Sequence, residues 1–476
     1  MNKTLPTFYL FLIIILEGYV VLSSELLAIR QSIPFVGSGT DTVSIIIAAV
    51  LMPLAFGYQT GGKFKPGFNK NGKYQTIRGK LIQNLLISLI ILIVGLSYYI
   101  LTHFFKALME LDISNRLIKT TLYSGIFLVI PVYLLGQTIP LVSNYFSKEK
   151  LAKVTGKILF FSTMGSFLGA VFSTLVLMST IGVHHTVALN FIILTALIVI
   201  LSKKKLSQCN ILLIIITACA VYLNSGTVMK KMDIIENNKY NTITFKEVDR
   251  FGDIERHLQL NNNASSMLSE SGKKHAYIEY IEEIAIFPLW NEDIPPKDIL
   301  VIGAGAFTLG LEDEINNYDY LDLDKSLLKI SEERILKRPI GDNKTFHAIP
   351  ARAFLSDTEK NYDLIVVDAF LGNLTIPEHL VTQNFFNQVK SKLNPEGAVI
   401  ANFVISATFD DPFSQNLDNT LRSVFPNMTR LILNEYDVWN TQNKNTSNVI
   451  YVYRNHLDAK STIYTDNKNT VFFDRR

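Results

Sequence analysis

Two patterns of hydrophobic and polar positions divide the chain. Up to about residue 226 the apolar residues come in runs of about 20, the length needed to cross a hydrocarbon core. The runs lie near 6–26, 42–62, 81–104, 121–145, 158–182, 186–202 and 210–225. The last two are the shortest. The first is followed by further runs and lacks a small-residue cleavage site, so it reads as a retained helix rather than a signal peptide. From about residue 233 the runs shorten and alternate. KYNTITFKEV and RHLQLNN read as strands of a small β-hairpin region, and KKHAYIEYIEEIAIF carries apolar positions at helical spacing. DILVIG, YDYLDLD, TFHAI, YDLIVVD and GAVIANFVIS then read as strands. AFTLGLEDEINN, IPEHLVTQNFFNQVKSKL and PFSQNLDNTLRSVF read as helices among them. RLILNEY and NVIYVYR close the chain as an antiparallel pair at the sheet edge.

Such alternation predicts a mostly parallel sheet covered on both faces. The expected fold class is a multi-pass α-helical membrane domain followed by a Rossmann-like α/β domain. The expected organisation is a domain of about seven transmembrane helices over 1–226, a small β-hairpin region with a linking helix over 233–290, and the α/β domain over 291–476.

Charge sharpens this division. Residues 1–226 hold 18 Lys/Arg and 6 Asp/Glu, a balance of +12. The remaining 27 Lys/Arg and 36 Asp/Glu give −9, and the sum is the chain's +3. A basic, apolar first half suits lipid and anionic headgroups. Lysines and arginines gather in three loops, at Lys63 to Lys80, Lys148 to Lys157 and Lys203 to Lys205. By the positive-inside rule these loops and the N-terminus face the cytoplasm of a cell (inner) membrane. Seven spans place the C-terminal domain outside; six or eight place it inside. The two cysteines, Cys209 and Cys219, make neither a metal cluster nor a disulfide framework. No basic stripe interleaved with aromatics is present, so no nucleic-acid partner is expected.

Glu17 and Glu25 fall within the first span, where an acid is costly and faces a partner or a cavity. Two readings stay open: a cation or amine path, or acids near an interface paired with Arg30 or a hydroxyl. Gly57, Gly61 and Gly62, and Gly165 and Gly169, are spaced for close helix packing. Pro131 and Pro140 bracket an expected kink. In the second half, Gly303 and Gly305 follow a strand and precede an expected helix, letting the backbone approach a ligand. The acid Asp322, about 19 residues on and with Asp324 just after, is placed to bind ribose hydroxyls. Asp368 ends the strand YDLIVVD, where ligands of open α/β sheets bind; it can hold a cationic amine and take its proton. The alternatives are a structural turn with a solvated acid, and a loop cap leading to Pro377.

Taken together these residues resemble the spermidine synthase (polyamine aminopropyltransferase) family, in its branch fused to multi-pass membrane helices. In the first half the resemblance rests on Glu25-Leu26-Leu27-Ala28-Ile29-Arg30, on Gly57-Tyr58 through Gly61-Gly62, and on Gly165 to Ala170. In the second it rests on Tyr240-Asn241-Thr242-Ile243, Ala276-Tyr277-Ile278-Glu279, Gly303-Ala304-Gly305, Leu321 to Asp324, Tyr362 to Phe370 and Ile376 to Thr382. It implies a class I methyltransferase-like fold. It also implies transfer of an aminopropyl group from decarboxylated S-adenosylmethionine, a co-substrate rather than a bound cofactor, to a diamine or polyamine. Asp368 would be the base, Gly303, Gly305 and Asp322 would hold the adenosyl compound, and Tyr277 and Asn241 would line the amine site. Soluble relatives of this kind commonly associate, so a homo-oligomer is also expected.

The sequence departs from the family pattern in several places. Ala306-Phe307 stands where an acid usually follows the glycine turn, and Leu371 where a second acid follows the base. Ile349-Pro350-Ala351 stands where an acid reads the adenine, Asn261-Asn262 and Ser265 replace hairpin Asp-Gly and Gln, and Lys273-Lys274 replace an acidic pair. These changes keep two other readings in view. One is a catalytically inactive descendant acting as a membrane sensor or cation or polyamine transporter; the other is a methyltransferase using S-adenosylmethionine itself.

Overall fold

The computed structural model describes residues 6–68, 74–146, 151–202, 207–290, 293–370, 376–433 and 446–455. Leu371, the lysines at 70, 73, 148, 150 and 203–205, and the end of RLILNEY lie outside the described residues. The chain divides into two compact units. The first runs to Lys246 and includes Gln259–Asn263; the second comprises Glu247–Leu258, Ala264–Phe370 and the residues from Ile376 on.

The first unit is helical. Its helices are α1 (Thr7–Val36), α2 (Thr40–Gly62), α3 (Ile77–Leu96), α4 (Tyr98–Glu110), α5 (Arg116–Phe127), α6 (Val129–Gly136) and α7 (Thr138–Ser143). A two-strand ribbon, β1 (Gly67–Phe68) and β2 (Tyr74–Gln75), separates α2 from α3. Then α8 (Leu151–Phe167) passes through a π-helical stretch, Leu168–Leu177, into α9 (Met178–Thr180). The unit continues with α10 (Val183–Leu201), α11 (Gln208–Leu223) and α12 (Gly226–Lys231).

Five of these helices or continuous helical runs are long and apolar enough to cross a membrane, and six if the bent pair α5 and α6–α7 counts as one span. Hydropathy along the sequence leads to an expectation of seven. The difference is α11, whose 16 residues extend about 24 Å, short of a hydrocarbon core of about 30 Å. The expected run 81–104 is also split, because the chain breaks at Ser97 between α3 and α4.

The bend expected between the two prolines lies just ahead of Pro131 instead, between α5 and α6. Each proline removes a helical hydrogen bond and crowds the preceding turn, and the helix breaks three residues before each, at Leu128 and Gln137; the bend of the pair is 41°. Glycines make the tightest seams. A methyl group on Gly165 or Gly169 would collide with the carbonyls of Ile15 and Tyr19 on α1, and one on Gly57 with the carbonyl of Tyr133 on α6. Gly61 packs equally tightly on Gln137 and Pro140, whereas Gly62 meets nothing nearer than 4.0 Å. The close-packing expectation thus holds for four of the five glycines.

A four-stranded sheet, in the order β3 (Ile234–Asn237), β4 (Thr242–Arg250), β5 (Asp253–Leu260), β6 (Asn263–Ser269), follows the helices. It is larger than the hairpin expected, since β3 is only four residues long and β6 is rich in serine and asparagine. Within the helical unit the buried Arg30 donates to the Asn238 carbonyl (2.8 Å) and to the side chains of Asn237 and Thr242.

The second unit holds α13 (Ala276–Ile281), β7 (Asp298–Ile302), β8 (Asn317–Leu321), α14 (Ser326–Ile330), β9 (Lys344–His347), α15 (Ala351–Asp357) and β10 (Tyr362–Val367). It ends with α16 (Gln383–Ser391), β11 (Leu393–Ser406), α17 (Pro412–Val424), β12 (Thr429–Leu433) and β13 (Thr446–Arg454). Their sheet runs β12-β13-β11-β10-β7-β8-β9. The five strands from β9 to β11 are parallel, and β13 is antiparallel to both its neighbours. The chain leaves β7 toward one edge and returns at β10 toward the other, which creates a switch point between those two strands.

One expected helix is absent. AFTLGLEDEINN forms successive turns, closed by Phe307 N–H to Ala304 O and Asp313 N–H to Gly310 O. Phe307 and Gly310 are left-handed, with φ of 60° and 67°. A Cβ on Gly310 would strike the Tyr318 ring, and its N–H donates to Glu282 at 2.7 Å. The Asp313 carboxylate takes the N–H groups of Ile315 and Asn316. Tertiary contacts therefore outweigh a helical propensity that is real but local. The helix expected over 376–393 is also shorter. Only a single tight turn forms at Glu378–Leu380 before Thr382 caps α16 through Phe385 N–H.

Candidate functional site

The switch point brings β7 and β10 side by side, and the candidate residues Gly303 and Asp368 follow where they end. The Asp368 N–H donates to Ile302 O at 2.8 Å, fixing the residue immediately past β10. Gly303 turns away with φ of 99°, and a Cβ there would collide with the Asp368 carbonyl. Glycine is therefore required at 303 twice over, by conformation and by the neighbouring chain. Gly305, also left-handed, lies against Ser266, whose hydroxyl would be 2.7 Å from an added Cβ.

The turn's own donors are mostly spent inside the protein. Gly303 N–H donates to Leu321 O at 2.9 Å, and Ala306 N–H to Ser266 Oγ at 2.9 Å. Ala304 N–H donates to the Asp322 carboxylate. With no helix beginning behind the turn, the site lacks the helix-end donors that hold a phosphate in dinucleotide-binding folds.

Asp322, just past β8, is half-buried. Burial pushes its carboxyl up to about 6, against the opposing effect of the N–H groups of Asp324, Leu323 and Ala304. Asp324 acts on the fold instead, since its carboxylate accepts the N–H and hydroxyl of Ser326 and so starts α14.

Asp368 is likewise half-buried. Its carboxyl accepts a hydrogen bond from Asn402 Nδ2 at 2.9 Å and another from Tyr277. Burial pushes it up to about 6, with these two hydrogen bonds acting in the opposite sense. The buried Tyr277 comes from the first turns of α13, and its hydroxyl also lies 3.4 Å from Ser265 O. Tyr277, Gly303 and Asp368 thus meet at one point, and Asp322 joins them through Ala304.

Asn241 belongs to the helical unit, where its side-chain oxygen accepts from Asn261 Nδ2 at 2.9 Å. Of the replaced positions, Lys274 is buried and paired with Glu282 at 2.6 Å. Glu282 also receives Gly310 N–H, so the pair braces the segment after the glycine turn.

Asn402 does not stand out as a site residue from sequence. It sits one step beyond the paired residues Val367 and Ala401 on strand β11, so it lies level with Asp368. The available signal is a lone amide in the apolar run AVIANFVIS. Its Oδ1 is buried without a hydrogen-bond partner.

A central parallel sheet with one reversed strand, a glycine turn after its first strand and acids after its second and fourth, defines a methyltransferase-like α/β domain. Residues 275–435 match the family profile described as the spermine/spermidine synthase domain. The polyamine aminopropyltransferase of Vibrio vulnificus is 30% identical over 161 residues, covering 32% of this chain and 50% of that protein. The probable polyamine aminopropyl transferase of Bifidobacterium longum is 34% identical over 93 residues, 20% of each chain. Among solved structures, a probable spermidine synthase from Corynebacterium glutamicum has 19% identity and a TM-score of 0.37, covering 49% of this chain and 81% of that one. The chain spans half or less of the length of these two curated relatives.

Proposed function

We propose that the α/β domain is a membrane-tethered aminopropyltransferase, moving the aminopropyl group of decarboxylated S-adenosylmethionine to an amine. The observation that carries this reading is Asp368. It is a carboxyl at the switch point, oriented by Asn402 and Tyr277 and raised to about 6. At neutral pH it is ionised yet basic enough to accept a proton. The reaction needs such a group, because an ammonium has no lone pair with which to attack carbon. In this scheme Asp368 binds the ammonium and takes one proton. The freed nitrogen forms a bond to the aminopropyl carbon, the carbon–sulfur bond breaks, and its electron pair stays on sulfur to leave methylthioadenosine. A sulfonium is a good leaving group, so the protein has mainly to remove a proton and position the reactants.

The glycine turn supports a ligand without phosphate. Its N–H groups at 303, 304 and 306 are engaged by Leu321, Asp322 and Ser266, which suits a ribosyl sulfonium better than a pyrophosphate. Gly303 and Gly305 would let that ligand approach the backbone. Asp322 would accept hydrogen bonds from its ribose hydroxyls, and Tyr277 would line the amine side. Asn241 holds Asn261 through its side-chain oxygen. The helices of the first unit would hold the protein in the cell membrane.

The test is turnover by full-length protein purified in detergent. Decarboxylated S-adenosylmethionine is supplied with a panel of diamines and methylthioadenosine is followed by mass spectrometry. Product that vanishes in Asp368→Asn is the expected result. Absence of product, together with no binding of either adenosyl compound, would overturn it.

A further inference from the structure

Helix α1 is the most enclosed of the membrane-length helices, and one stripe of it is polar. Glu17, Ser24 and Gln31 recur every seven residues, a spacing that drifts only about 20° per repeat. They therefore share one face over about 21 Å. All three are 1% exposed. Glu25 lies beside Ser24, about 12 Å along the axis from Glu17, and is 7% exposed. Asn190 reaches in from α10, donating to Ser24 Oγ at 3.3 Å, and Thr138 is buried on α7, a helix that packs against α1.

Several polar atoms along this stripe lack partners. Glu17 Oε2, Glu25 Oε2, Asn190 Oδ1, Thr138 Oγ1 and both amide atoms of Gln31 are buried with no hydrogen-bonding partner. Neither acid is in an ion pair among the described residues. Buried polar groups are ordinarily satisfied, and most stringently so in a lipid surrounding. The unsatisfied set is also lopsided. Glu17, Glu25, Asn190 and Gln31 each offer an oxygen that only accepts when the acids are ionised, the Thr138 hydroxyl serves either way, and Gln31 Nε2 is the one obligate donor among them. A column rich in acceptors and carrying two acids calls for a guest that brings protons and positive charge.

We propose that the helical unit binds a protonated linear polyamine along α1, with one ammonium at Glu17 and another at Glu25. Two acids separated along the helix axis suit a chain with ammonium groups at distinct points better than a single metal ion. Ser24 and Asn190 line the stretch between them, and Gln31 extends the polar face beyond Glu25. The proposal rests on the unsatisfied acceptors of this unit and stands whether or not the α/β domain turns over an amine.

The experiment measures equilibrium binding of radiolabelled spermidine to full-length protein in lipid nanodiscs, for wild type, E17Q, E25Q and Asp368→Asn. Wild type is expected to show a class of sites that E17Q and E25Q each weaken at least tenfold. That class should remain in Asp368→Asn. Methylthioadenosine production, if present, should be unchanged in E17Q, which separates this site from the α/β one. Because Gln matches Glu in shape, E17Q should fold, and an unshifted melting temperature verifies that it has. Isotherms of both Gln variants that overlay wild type would overturn the proposal. So would equal competition by sodium at constant ionic strength, which would identify a point-cation site.

Discussion

Asp313 and Asp319 in the α/β unit each sit in a ring of donors, whereas Glu17 and Glu25 in the helical unit each carry a buried oxygen with none. Asp313 accepts from Ile315 N–H, from Asn316 through both backbone and side chain, and from the Tyr318 hydroxyl at 2.7 Å. Asp319 accepts from His347, Lys360 and Tyr362. For both, burial pushes the carboxyl up, but the surrounding hydrogen bonds outweigh it and hold the group below its ordinary range. Such saturated acids maintain the fold. Asp322 and Asp368 are intermediate: they are held by donors but remain raised to about 6. The contrast teaches that buried acids in this molecule differ in how completely they are satisfied, and the proposed ligand roles fall on the less satisfied ones.

The largest expected effect is chemical. Replacing Asp368 with Asn keeps its shape and removes the proposed base, so kcat should fall by about 10²–10⁴-fold; product analysis by mass spectrometry checks this. An Asn variant with wild-type turnover would place Asp368 among the structural acids instead.

Asp322→Asn comes next. Loss of charge-assisted hydrogen bonds to a ribose, about 1.5–3 kcal/mol, predicts about 10–100-fold weaker binding of methylthioadenosine by calorimetry. The same change should loosen the glycine turn, since Ala304 N–H loses its charged acceptor.

Asn402→Ala and Tyr277→Phe each remove a hydrogen bond that lowers the Asp368 pKa. The acidic limb of the rate–pH profile should start near 6 in wild type, rising as the carboxyl ionises. In each variant it should move to higher pH, which loss of structure alone would not produce.

The smallest effect is on stability. A carboxyl raised to about 6, against about 3.9 when unfolded, holds its proton more tightly in the folded state. Asp322 and Asp368 thus make the folded state more stable as pH falls from above 6 toward 4. Asp313 and Asp319, being depressed, contribute stability above the unfolded value and lose it as pH falls through their folded values. Melting temperature of the α/β transition should therefore peak between about pH 4 and 6, and Asp368→Asn should flatten the neutral side. E17Q sharpens the comparison from the other unit. Since Glu17 Oε2 holds no partner, its loss should leave melting unchanged, whereas Asp313→Asn should lower it by about 1–3 kcal/mol of stability.

Much of the architecture is legible in the sequence because hydrophobic period and run length are local properties. The parallel strands, the antiparallel edge pair, the glycine turn and the acids after β8 and β10 all follow from such patterns. So do the glycine seams at 57, 61, 165 and 169, where small residues repeat at helical spacing. The helix expected at 306–317 is not decided locally. Its residues favour a helix, but Glu282 takes Gly310 N–H and the Tyr318 ring fills the space a Cβ would need. Lys274 likewise reads in sequence as an exchanged site charge, whereas in the fold it is the buried partner of Glu282. The place of Asn402 depends on register, because only the pairing of β10 with β11 sets it level with Asp368.

The sequence by itself determined which segments are apolar, where the strands end and which acids stand at those ends. Only the tertiary structure decided which of those acids are saturated and which are left open, because a hydrogen bond's partner is chosen by packing across the chain and not by neighbours along it.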